Sequence, residues 1–272
     1  MLEIRRYLNE LADYVPTLSP KDLKPTTVRH WLDEETKKQS PRAVKTLQKA
    51  AGFGSEYFLW CIRKGYVSDA VDNPFKGLRY PKSLKSKDSY VELSLPEIIA
   101  LRTAAETKGD TELVCFIDVA RYTGMRISEI AALSTDSFVV VQGVKCLQVR
   151  PDAKTKASSN RLVPIAKSLE KLMKASGYPS DSFDLKGRDH AVSKRFGRLK
   201  RVVLEDGASR TKVFHSIRKY VATTLEREGV PEGITADLLG HEKQTMTYGV
   251  YSGGSSIQQL VGAVKKLEKA QK

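Results

Sequence analysis

Cysteine, histidine and long apolar runs are all scarce in this chain. Its 272 residues include 3 Cys and 4 His. Cys61, Cys115 and Cys146 are odd in number, far apart and set among apolar neighbours, which suits small core residues in a reducing compartment rather than a disulfide framework. With no CxxC and so few histidines there is little from which to build a zinc site, and no metal or other cofactor is expected. No apolar run approaches the ~18 residues of a membrane span, and the opening MLEIRRYLNELADYV lacks the charged, apolar and small-residue succession of a signal peptide. A cytoplasmic protein with no membrane partner is the expectation. Internal repeats and low-complexity segments are also missing, and a hydrophobic share of 40% argues against disorder.

Basic charge is plentiful. Lys and Arg number 46 against 32 Asp and Glu, a formal charge of +14. Such a balance favours a polyanionic partner, nucleic acid first, because neutralising phosphates releases condensed counterions. The excess is +5 up to Lys82 and +9 beyond it, so a partner gripped from two sides fits. The densest cluster is Lys194, Arg195, Arg198, Lys200 and Arg201, in which the spacing of 194, 198 and 201 puts three cations on one helical face. Lys194, Arg195, Arg198 and Arg201 are the candidate nucleic-acid contacts, although a solvated helix surface would carry the same pattern.

The chain length is enough for two domains of ~100 to 200 residues. Residues 1 to about 75 read as helices, with stripes at Val28, Trp31 and Leu32 and at Val44, Leu47, Ala51, Phe58, Cys61 and Ile62. Asn73, Pro74 and Phe75 close this part, and KGLRYPKSLKSKDSY reads as a linker ending near Tyr90. Pro96 opens a second helical region. From Phe138 to Ile165 the pattern turns strand-like in FVVV, KCLQVR and RLVPI, with polar turns at Gln142-Gly143 and from Lys154 to Asn160, which predicts a small antiparallel sheet. Helical spacing then returns, and the tail carries a stripe of Ile257, Leu260, Val261, Val264 and Leu267 flanked by lysines. That stripe must be buried on its own domain or on a neighbouring protomer.

Four short strings carry chemistry: TGMRISEIAAL with Arg126, the turn with Lys154 and Lys156, HSIRKYVATTL with His215 and Arg218, and LLGHEKQTMTYGVYSGG with His241, Tyr248 and Tyr251. Each alone is ordinary. Arg126 has Glu129 at i+3 as a ready salt-bridge partner, and a lysine in a polar turn is usually solvated. Together they suit phosphoryl transfer without metal. Two arginines can fork onto nonbridging phosphate oxygens, histidines can donate hydrogen bonds or move a proton, a lysine can protonate a departing hydroxyl, and a tyrosine can form a covalent ester with phosphorus.

In these strings and their order the sequence resembles the tyrosine recombinases, the phage-integrase and Cre-like family, over nearly its whole length. The resemblance implies a mainly α fold, a helical core-type DNA-binding domain at 1–82 and an α+β catalytic domain with a small antiparallel sheet at 83–272. It implies Arg126 and Arg218 as the phosphate clamp, His215 and His241 as the two histidines, Tyr251 as nucleophile and Glu129 as the support that orients Arg126. Lys154, which opens the KT-type turn, is favoured over Lys156 as the hairpin lysine. Tyr251 lies ten residues beyond His241 and Tyr248 seven, so Tyr248 stays the alternative nucleophile. The activity implied is cleavage of double-stranded DNA to a 3′-phosphotyrosyl enzyme and strand exchange through a Holliday junction. Four protomers would act on paired sites, linked through the C-terminal helix, to integrate or excise a mobile element or phage. A phosphotyrosyl topoisomerase or telomere resolvase shares this chemistry, and an inactive DNA-binding regulator would keep the fold alone. The first helices are expected to belong to the core-type domain directly, with no arm-binding module ahead of them.

Overall fold

The computed structural model describes residues 2–39, 41–80, 90–150, 160–175, 188–205, 210–241 and 254–272. The chain divides into two compact units, Met1–Asp88 and Ser89–Lys272.

The first unit holds α1 (Leu2–Tyr14), α2 (Pro25–Lys37) and α3 (Val44–Arg63). Pro25 stands at the first position of α2, where its missing N–H costs nothing. The stripes expected from spacing are the buried faces: Val28, Trp31 and Leu32 on α2 pack with Leu47, Ala51, Phe58 and Cys61 on α3. Beyond α3 the chain folds back at Asn73. Its Oδ1 accepts from Phe75 N at 3.0 Å and its Nδ2 donates to Ser55 Oγ at 2.9 Å, which seats the Phe75 ring against Gly54, where a Cβ would lie 2.5 Å from the ring.

The second unit is built on α5 (Thr111–Thr123), of which every residue from Leu113 to Thr123 is buried, an all-round pattern that marks a central helix. Around it lie α4 (Leu95–Thr107), α6 (Ile127–Ala131), α7 (Lys167–Ala175), α8 (Asp189–Val203), α9 (His215–Arg227), α10 (Glu232–Leu239) and α11 (Ile257–Lys269). The three strand-like runs form a sheet of order β1 (Phe138–Val141), β2 (Val144–Val149), β3 (Arg161–Pro164), antiparallel throughout. Val141 pairs with Val144 across a two-residue turn in which Gln142 (φ 50°) and Gly143 (φ 76°) both take the left-handed conformation such a hairpin demands. The second expected turn, at 151–159, lies outside the described residues.

The tail stripe finds its cover within its own unit. Ile257, Leu260, Val264 and Leu267 are buried, Val261 is half-buried, and α11 packs on β3, α5, α9 and α10. Ser256 caps the helix in a capping box with Gln259, and Asp237 on α10 accepts from Ser255 N (2.8 Å) and Ser255 Oγ (2.6 Å). Among the described residues no helix is long and apolar enough to cross a membrane.

Candidate active site

The site begins where α5 stops. Gly124 ends the helix in the left-handed conformation (φ 65°), and a Cβ there would stand 2.4 Å from Leu239 and 3.1 Å from Val221. Only glycine lets this turn lie against α9 and α10. Two residues later Arg126 leads into α6, and Glu129 folds back onto it: one carboxylate oxygen accepts from Arg126 N and the other from Arg126 Nη1, both at 2.8 Å. Hydrogen bonds from both arginines hold the Glu129 carboxyl below the usual carboxylate range despite its burial.

The second arginine is Arg161, at the start of β3, which sequence reading passed over as one residue of a β-rich run. Its Nη1 and Nη2 fork onto Glu129 at 3.1 and 2.8 Å, and its Nε donates to Leu238 O at 3.1 Å. Its side chain is 7% exposed. The Gly240 backbone (φ 69°) lies flat against this guanidinium, so close that a Cβ would be 2.6 Å from Nη1, while Gly240 O accepts from Arg126 Nη2 at 3.3 Å. The glycine of LLGH is thus held on one side by Arg161 and on the other by Arg126. Cations at the carbonyl end of α10 are also favoured by the helix dipole. An arginine 32 residues from its carboxylate leaves no periodic signal; its clue was a charged residue at a position the strand pattern assigns to the core.

Arg218, on the first turn of α9, is 4% exposed. Its Nη1 donates to Gly124 O at 2.8 Å, and its buried Nη2 has no partner among the described residues. Desolvation, with Arg126 next in weight, pushes its pKa down to about 9. Arginine does not deprotonate readily, so the shift reads as strain on a charged group awaiting an anion. His241 follows Gly240, its N–H on Ala236 O at 2.9 Å, and desolvation together with Arg218, Arg126 and Arg161 lowers its pKa to about 4. His215 is lowered by the same kinds of cause, desolvation first and then Arg218 and Arg126, and its ring stands 6.2 Å from that of Tyr90. Both imidazoles are therefore neutral at pH 7 until negative charge arrives.

Arg126, Glu129, His215, Arg218 and His241, drawn from three stretches of sequence, thus converge on one cluster. It holds three guanidinium groups and one carboxylate. Lys154, Lys156, Tyr248 and Tyr251 lie outside the described residues. The basic helix α8 packs against α4, α5 and α6 and is divided in use. Lys194, Arg198 and Arg201 are exposed, whereas Arg195 is ion-paired to Glu112 and, at 3.2 Å, to Asp110, and Lys200 is buried with its Nζ on Lys212 O at 2.6 Å.

A model of the Phage integrase family matches residues 93–254. Tyrosine recombinase XerC of Xanthomonas axonopodis pv. citri is 26% identical over 214 residues, 73% of this chain and 64% of that protein, so the match leaves about a third of the relative uncovered. A tyrosine recombinase of Thermosipho africanus is 22% identical over 97% of this chain and 90% of its own length. Among solved structures, a lambda integrase dimer bound to a COC′ core site superposes with a TM-score of 0.68 at 17% identity, covering 90% of this chain and 88% of that one. At such identity the structural likeness is one of fold.

Proposed function

Because the chain belongs to the phage integrase family, we propose that it cleaves and rejoins double-stranded DNA through a 3′-phosphotyrosyl intermediate, by way of a Holliday junction, to integrate or excise a mobile element or phage. The observation that carries this reading is the excess of positive charge in the cluster among the described residues, where Arg218 Nη2 is buried without a hydrogen-bond partner beside Arg126 and two histidines whose pKa values are lowered. A scissile phosphodiester answers that charge. Arg126 and Arg218 fork onto its nonbridging oxygens and stabilise the charge that grows as phosphorus becomes pentacoordinate. His215 and His241 donate hydrogen bonds to the same oxygens. The Tyr251 hydroxyl passes its proton to a neutral imidazole of the cluster as its oxygen attacks phosphorus, the bond to the 5′-oxygen breaks, and Lys154 supplies the proton that makes it a 5′-hydroxyl. Attack by a 5′-hydroxyl of another strand reverses these steps, returns the proton and frees the tyrosine. The number of phosphoester bonds is unchanged, so no energy source is consumed.

In this reading the first unit is the core-type DNA-binding domain, and Lys194, Arg198 and Arg201 touch DNA phosphates, positioning the protein without reading bases. Four protomers act on paired sites in the cytoplasm. Linkage through α11 requires its stripe to exchange the cover found on its own unit for an equivalent surface on a neighbour.

The test is covalent capture. The wild type, Tyr251→Phe and Tyr248→Phe are incubated with a library of nicked duplexes and resolved on denaturing gels. An adduct lost only in Tyr251→Phe is the expected result. Loss only in Tyr248→Phe reassigns the nucleophile, and an adduct that survives in both variants overturns the tyrosine mechanism.

A further inference from the structure

Glu129 poses an electrostatic problem for the clamp it supports. A carboxylate paired with Arg126 alone would make a neutral couple, and Arg126 would meet an incoming phosphate with most of its charge already answered. The geometry shows how this is avoided. Both Glu129 oxygens are shared, each accepting once from Arg126 and once from Arg161. Arg161 is the more deeply buried of the two arginines, with 7% of its side chain exposed against 27% for Arg126, so it is Arg126 that keeps a face toward solvent. All the nitrogens of Arg161 are occupied, Nη1 and Nη2 on Glu129 and Nε on Leu238 O. Three of its five N–H hydrogens are committed in this way, and with 7% of its side chain exposed it has little reach toward a substrate. What it offers is charge, and a grip on the backbone from Leu238 to Gly240, next to His241.

Resting on the reading of this cluster as a phosphate centre, we propose that Arg161 is a positioning residue that leaves the charge of Arg126 available to an anion by taking a share of Glu129, and that seats the α10 terminus so that Gly240 O and His241 stay beside Arg126. The three charged side chains then sum to one positive charge where two would sum to none. Gly240 is part of the device, since any side chain there would enter the space the guanidinium fills.

A structural role alone predicts that any loss of Arg161 is harmful in proportion to the stability lost. The charge-sharing role predicts that the effect follows net charge. The measurement is inorganic phosphate binding, followed through the imidazole resonances of His215 and His241 by NMR, with thermal unfolding recorded for each protein. Arg161→Gln is expected to weaken phosphate about tenfold, Arg161→Lys to stay within about threefold of the wild type, and the double variant Arg161→Gln with Glu129→Gln to recover to within about threefold, because the net charge returns to its original value. Removing one partner of a buried pair can prevent folding. Should Arg161→Gln not fold, Glu129→Gln compared with the double variant carries the same step of one charge, and the double variant should bind about tenfold more weakly. Wild-type affinity in Arg161→Gln, a double variant no tighter than the single one, or equal affinities in the second comparison would each overturn the proposal. A wild type that binds no phosphate would instead overturn the reading of the site on which it rests.

Discussion

Arg218 carries a cost in the free protein that can be measured. Its guanidinium is 4% exposed and one of its nitrogens lacks a partner among the described residues. A pKa held at about 9 instead of the ordinary guanidinium value corresponds, at about 1.36 kcal/mol per unit, to a penalty of at most about 5 kcal/mol on the charged form. Relaxation and water reduce such penalties in real sites, leaving about 2–4 kcal/mol. Arg218→Met keeps an unbranched apolar stem while removing the charged head, and it forfeits the hydrogen bond to Gly124 O, a loss of about 1–2 kcal/mol. The variant should therefore be more stable than the wild type by about 1–2 kcal/mol. For a unit of this size that is a rise of about 2–8 °C in Tm. Scanning calorimetry in a phosphate-free buffer reads it directly. Added phosphate should then raise the wild-type Tm by mass action and leave the variant where it was, and covalent DNA cleavage should be lost in the variant. A variant that melts below the wild type without phosphate would refute the argument that this charge is strained.

Three further outcomes follow from the geometry. Gly240→Ala forces a left-handed residue and a Cβ 2.6 Å from Arg161, so it should cost about 1–3 kcal/mol in denaturant unfolding and lower single-turnover cleavage more than tenfold. Charge reversal at Lys194, Arg198 and Arg201 should weaken binding to all duplex sequences and flatten the salt slope, whereas Arg195→Gln, which breaks ion pairs to Asp110 and Glu112, should act mainly on stability; salt titrations of both variants separate the two. His241 has its pKa lowered to about 4, so the free folded state binds fewer protons than the unfolded one between about pH 4 and 6.5, and stability is lost as pH falls through that window. Phosphate, with about one negative charge at this pH, offsets part of the surrounding positive charge and should raise this pKa, so calorimetric titrations near pH 5.5 in buffers of different ionisation enthalpy should show proton uptake that His241→Gln reduces.

Many of the elements are legible in local sequence. Helical spacing marks the buried faces of α2, α3 and α11, and Gln142-Gly143 marks the β1–β2 hairpin, because each of these signals is written by residues within a few positions of one another. Pairing of Arg126 with Glu129 was legible for the same reason, both lying on one turn. The remaining pairings come from tertiary packing. Arg161 meets Glu129 from 32 residues away and Leu238 from 77, and Arg195 is drawn from the basic face of α8 to the acidic residues that open α5. The stripe of α11 gave no choice between its own unit and a neighbour until β3 and α10 were seen to cover it. Spacing tells which side of an element is apolar, but which charge answers which across the core depends on how the elements pack, and that is settled by the burial of the whole chain at once.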